Sequence, residues 1–110
     1  MPLSEKTRIE VYIPDRKEKN YQNLLDVFAD EFTEAFDGCT IVRGLEGRYL
    51  NDEGGKDIES MNMLYADLPL ELEIYTNEIS LYVDEIKSAA HEVLEEESIL
   101  VTVRTIYHAE

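Results

Sequence analysis

"DGCTIVRGLEGRYLNDEGGKDIESM", residues 37–61, holds all five glycines of the chain and three of its ten basic residues. Thr40 to Leu50 reads as a strand interrupted by Gly44 and Gly47, and Asn51 to Asp57 is a cluster of turn residues. Ile58 to Leu68 resumes the alternation, with Met61, Met63 and Tyr65 on one face and Leu64 and Ala66 on the other, until Pro69 ends it. The stretch is therefore a β-hairpin in the middle of the chain, and its flanks fix the architecture.

On the N-terminal side, Thr7 to Ile13 alternates: Ile9, Val11 and Ile13 point one way, Arg8, Glu10 and Tyr12 the other. Pro14-Asp15 closes that strand. From Tyr21 to Phe36 the period lengthens, with Tyr21, Leu24, Leu25, Phe28, Phe32 and Phe36 three and four apart; this is an amphipathic helix that Gly38 can cap. On the C-terminal side, Leu70 to Tyr75 reads either as a short strand or as a lead-in. Thr76 or Asn77 is a suitable N-cap for a second helix with the stripe Ile79, Val83, Ile86, Ala90, Val93 and Leu94. Ser98 breaks it, and Ile99 to Tyr107 is a last strand. The order βαββαβ folds most simply as an α+β ferredoxin-like domain: a four-stranded antiparallel sheet, two helices on one face, right-handed crossovers. Residues 1–110 form one such domain, with 1–6 expected to fray.

A chain of 110 residues and 12.7 kDa buries about two-thirds of its surface on folding and needs no staple. Its 25 acidic and ten basic residues give a formal charge of −15, which excludes nucleic acid and anionic membrane as natural partners. Residues 59–110 hold twelve of the acids and only two bases, Lys87 and Arg104. Such a surface serves solubility or faces a basic partner protein. No apolar run reaches the length of a bilayer, and the first residues lack a leader's apolar core. The single cysteine, Cys39, cannot form an internal disulfide, so the expected compartment is the cytoplasm.

With helices on one side, the other side of the sheet should be polar in a monomer. Depending on parity it carries Tyr12, either Met61, Met63 and Tyr65 or Ile58, Leu64 and Ala66, and either Leu100 and Ile106 or Val101, Val103 and Tyr107. Every choice is apolar, which predicts a homo-oligomer, dimer or trimer, with Tyr12, Met61, Met63, Tyr65 and Tyr107 at the interface. In the alternative, the tail or the 70–75 segment covers this face within one chain.

Arg43 and Arg48 are five apart and would point to opposite faces of a regular strand. A bulge at Gly44 or Gly47 shifts that parity and makes an anion pocket from two guanidiniums and exposed amides. Otherwise the glycines relieve strand curvature and the arginines pair with neighbouring acids. Glu59, opening the third strand, is the carboxylate placed near them. The glycine spacing matches no phosphate-cradling loop or dinucleotide fingerprint, since no helix follows. "NDEGGKDIE" holds calcium-type ligands out of register, so no metal site is expected. Cys39 reads as a structural thiol, and His91 pairs with Glu95 across one helical turn. His108, at the end of the last strand, is an acid or base only if Arg43 or Glu59 lies close to it. No pattern names a cofactor.

The segments "FDGCTIVRGLEGRYL", "IESMNMLYADLP" and "EEESILVTV" resemble those of small PII-like domains. Gly38-Cys39-Thr40, Gly47-Arg48-Tyr49, Glu59 and Glu97-Ser98-Ile99 stand at the matching places. The resemblance implies an oligomeric, trimer-type sensor with ligands in clefts between subunits, although the long basic effector loop is replaced here by acidic "NDEGGKD". On that reading the domain is regulatory rather than catalytic. Arg43 and Arg48 would contact an anionic ligand, Tyr49 would wall the site and Glu59 would orient the arginines. The alternatives are a small dimeric enzyme using His108 over the open sheet, or an acidic adaptor for a basic protein.

Overall fold

β1 (Leu3–Pro14) lies inside the sheet, between β3 (Lys56–Leu68) and β4 (Leu100–Ala109), and β2 (Thr40–Leu50) completes the order β2-β3-β1-β4 with every pair antiparallel. Helices α1 (Lys19–Phe36) and α2 (Thr76–Leu94) connect β1 to β2 and β3 to β4. The coordinates are those of a computed structural model and describe residues 2–94 and 99–109. The order is the expected βαββαβ.

Alternation in the two inner strands makes the core. Thr7, Ile9, Val11 and Ile13 of β1 are buried, as are Asn62, Leu64, Ala66 and Leu68 of β3. The register sets Ile9 opposite Ala66 and Val11 opposite Leu64, so all eight share one face. Tyr21, Leu24, Leu25, Phe28 and Phe32 of α1 cover it, together with Ile79, Ile86, Ala90 and Leu94 of α2. Each full burial of a large apolar side chain stabilises by about 1.5–3 kcal/mol. Phe32, fully enclosed, and Phe36, 5.6 Å from it on α1, join the two helices through ring contacts with Tyr82 at 6.3 and 5.6 Å.

Several boundaries depart from the sequence reading. β1 begins at Leu3, and Leu3 to Lys6 pair with Ala109 to Ile106, so most of the expected frayed end is strand. Those residues have no apolar period; their partner strand supplies the hydrogen bonds that hold them. Asp37, at φ 65, is the left-handed residue ending α1, in place of Gly38. Residues 70–75 form a turn, with the Ile74 and Tyr75 amides both donating to the Glu71 carbonyl. The Thr7 hydroxyl donates to the Leu70 carbonyl at 2.7 Å and anchors that turn to β1. Thr76 is already helical and its hydroxyl donates back to the Leu72 carbonyl, so it is no N-cap. Val93 is 43% exposed and leaves the buried stripe to Leu94. Glu95, Glu97 and Ser98 lie outside the described residues.

The β2–β3 hairpin projects past the helices, and the chain measures 48 Å in its long dimension against 28 and 25 Å. Its tip is closed by Asn51, whose side-chain oxygen accepts from the amides of Glu53 and Gly55 at 3.1 and 2.8 Å. Between Val42 and Leu45 the register slips: Arg43 and Gly44 together oppose Asn62, and Gly44 adopts φ 74. The buried Asn62 side chain accepts from the Gly44 amide at 3.2 Å and secures the bulge.

The core account predicts that Phe32→Ala lowers unfolding free energy in urea by about 3–5 kcal/mol, whereas Leu81→Ala, at a site 65% exposed, changes it by less than about 0.5 kcal/mol.

Candidate functional site

Pleat parity decides what the helix-free face displays. Arg8, Glu10 and Tyr12 of β1 point there, and register brings Met61, Met63, Tyr65 and Asp67 of β3 onto the same side. From β4 come Leu100, Thr102, Arg104, Ile106 and His108. Tyr107 has the opposite parity: it pairs with Glu5 on the helix side, where its hydroxyl donates to the Glu5 carboxylate at 3.4 Å. Of the five residues assigned to an interface, Tyr12, Met61, Met63 and Tyr65 thus share the open face and Tyr107 does not.

The face is also less apolar than the sequence alternation implied, because a charged band crosses its middle. Arg8 makes a bidentate pair with Asp67 at 2.7 and 3.0 Å and stacks over the Tyr65 ring at 4.1 Å. His108 Nε2 lies 3.1 Å from the second Asp67 oxygen. Beside this triad, Glu10 accepts from the Thr102 hydroxyl at 2.8 Å and from Arg104 at 3.2 Å. The Arg8 hydrogen bond, helped by His108 and opposed by burial, holds the Asp67 carboxyl below the usual range; the same bond raises Arg8. Neither Asp67 nor Glu10 entered the sequence reading as a site residue. The available signal was the charged parity of β1, Arg8 and Glu10, on an otherwise apolar strand.

A second feature lies at the other end of the face. Tyr12, Tyr49, Glu59, Met61, Ile99 and Leu100 line a cleft of about 140 Å³. Gly47 permits its shape: a Cβ there would come within 3 Å of both the Tyr49 ring and the Met61 methyl. Of the four predicted ligand contacts, Tyr49 and Glu59 meet in this cleft. Glu59 pairs at 3.6 Å with Arg16, which follows β1 and was not among the predicted site residues. Arg48 falls on the opposite side of the hairpin, opposite Ile58, where Glu46 holds it at 2.8 Å. Arg43 is exposed at the bulge and makes no ion pair with another described residue.

His108 and Glu59 are separated by the length of the sheet. Asp67, which touches His108, is eight residues from Glu59, about 26 Å along the strand. The juxtaposition required for His108 to act with Glu59 as acid and base does not occur. Cys39 is half-buried, its thiol 3.5 Å from the Ala29 carbonyl. No cluster of metal-ligating side chains occurs among the described residues, and no helix of these is long and apolar enough to cross a membrane.

No protein-family profile matches the sequence, and no curated protein matches it significantly. Solved structures do share the fold. The PII-like nitrogen regulatory protein CPII of Thiomonas intermedia K12, bound to ADP, AMP and bicarbonate, superposes with a TM-score of 0.53 at 19% identity, covering 99% of this chain and 100% of that one. The B. subtilis GlnK–ATP complex gives 0.55 at 13% identity, over 94% of this chain and 83% of that one. The divalent cation tolerance protein CutA1 of Thermus thermophilus gives 0.55 at 12% identity, over 96% and 87%. The chain therefore has the ferredoxin-like fold in the form found in PII-like proteins and CutA1.

Two outcomes test this geometry. Asp67 has a lowered pKa when folded, so its contribution is complete above the ordinary value of 3.8 and is lost as pH falls through that value and below it. The urea midpoint of the native protein should exceed that of Asp67→Asn at about pH 5.5, and the gap should close towards about pH 2.5; a gap independent of pH contradicts the assignment. Gly47→Ala should destabilise by about 1 kcal/mol, and adding Tyr49→Ala should recover part of that loss in a double-mutant cycle.

Proposed function

We propose that the chain is a PII-like regulatory domain that works as a homo-oligomer, a dimer or a trimer, and binds small ligands, anions among them, in clefts completed by a neighbouring copy. The observation that carries this reading is the uncovered sheet face. Val42, Leu45, Met61, Met63, Tyr12 and Ile106 are half-buried there without any covering layer, and Leu100 is 58% exposed. The ion pairs that cross it are closed within the chain, so a second copy can cover them without burying an unpaired charge.

The projecting hairpin supports the same reading. Tyr49, Leu50 and Ile58 are 50%, 75% and 65% exposed on its two sides, an arm better suited to lie against another subunit than in water. In this account Tyr49 and Glu59 wall the cleft, with Arg16 paired to Glu59, and Arg43 and Arg48, elsewhere on that arm, are anion contacts for a site shared with the neighbouring copy. Arg43, with no carboxylate partner among the described residues, keeps its N–H donors for an anion, whereas Arg48 must exchange Glu46 for it. The similarity of fold to proteins solved with ADP, AMP, bicarbonate and ATP points to nucleotides and small anions as the first candidates. The same reading expects a cytoplasmic protein.

Size-exclusion chromatography with light scattering at micromolar concentration should return a multiple of 12.7 kDa. A monomer contradicts the assembly. Thermal-shift titrations with ADP, AMP and bicarbonate should raise the melting point of that oligomer, since a ligand at about 100 times its Kd adds about 2.7 kcal/mol. An oligomer indifferent to nucleotides and to small anions removes the ligand-binding part. Arg43→Ala should weaken any such shift with little effect on stability.

A further inference from the structure

The helical layer is not closed between α1 and α2. A groove of about 240 Å³ runs there, lined by Val27, Phe28 and Glu31 of α1 and by Tyr82, Glu85 and Ala89 of α2. Its floor is apolar, and Val27, 59% exposed, is the most open apolar side chain in it. One carboxylate stands on each wall. The α2 residues are spaced at i, i+3 and i+7, so the groove is about two helical turns, roughly 10 Å, long. None of this belongs to the open sheet face, which lies on the other side of the molecule.

Tyr82 marks the groove as more than a gap in packing. Its hydroxyl is shielded from solvent and has no partner in good hydrogen-bonding geometry, although the Glu31 carboxylate is near enough to act on it. Burial, with the negative charges of Glu31 and Glu85, pushes its pKa up to about 12, so the phenol stays neutral. The slot between the helices is thus acidic as well as apolar. The surrounding charge has one sign: each helix carries four carboxylates and one lysine.

We propose that the α1–α2 groove docks a basic amphipathic helix of a partner protein. Apolar side chains one turn apart would occupy the floor over Val27, Phe28 and Ala89. Flanking lysines or arginines would pair with Glu31 and Glu85. Charge selects this occupant over the others. A second copy would bring its own acidic helices and a formal charge of −15, and nucleic acid or an anionic membrane would bring the same sign again.

Fluorescence anisotropy of the full chain with a labelled Leu/Lys amphipathic peptide of about 14 residues, four helical turns, tests the proposal. A scrambled peptide of the same composition and a Leu/Glu peptide serve as controls. The Leu/Lys peptide should bind at least tenfold more tightly than the scramble, and the Leu/Glu peptide not at all. Val27→Asp should cost at least tenfold even though it adds negative charge, because it spoils the floor at an exposed, fold-neutral position. The double substitution Glu31→Gln, Glu85→Gln should cost a similar factor and flatten the salt dependence. Absence of binding, equal binding of the scramble, or unchanged binding by both variants overturns the proposal. A change in assembly mass on Val27→Asp, with peptide binding retained, would overturn it by making the groove an interface between copies.

Discussion

The parity of β1 is the constraint on which the rest of this structure depends. Ile9, Val11 and Ile13 are no more than 1% exposed and face the helices, so Arg8, Glu10 and Tyr12 must face away. A slip of one residue would bury two charges and expose three β-branched side chains, which makes the register with β3 and β4 hard to alter. From that register follow the position of Asp67 opposite Arg8, the position of Arg104 on the far side of Arg8 and beside Glu10, and the side taken by each methionine.

What results is a sheet face of two characters. Its centre is occupied by ion pairs already satisfied inside the chain, and its flanks by methionine, tyrosine and aliphatic side chains left half-open. A wholly apolar face would risk indiscriminate association; closed ion pairs add direction without leaving a charge unpaired. The helical side of the molecule has a different chemistry, strongly acidic around an aromatic seam. On the two proposals made above, the two surfaces would meet different partners.

Much of the fold is legible in the sequence because its periods are clean. Every buried residue of α1 lies on the three-and-four stripe, and the alternation of β3 continues from Met61 to Leu68. The losses come where contacts distant in the chain override local pattern. Leu3 to Lys6 form strand only because β4 lies beside them, and Tyr107 takes its face from a register that no alternation within β4 can fix. The Arg8–Asp67–His108 contacts join three strands, the bonded partners standing 59 and 41 positions apart in sequence. The proposed arginine site shows the same limit: Gly44 does make a bulge, but nearer acids decide the pairing, Glu46 taking Arg48 while Arg16 takes Glu59. Only Tyr49 and Glu59 of that constellation end up together.

The central claim is that a neighbouring copy covers the open sheet face. Peroxide oxidation of Met61 and Met63, followed residue by residue by mass spectrometry across a dilution series, tests it most directly. The account predicts that both thioethers oxidise far more slowly than free methionine at high protein concentration, and that both accelerate together as dilution separates the copies. Equal rates at every concentration, close to that of a half-exposed methionine, would contradict it.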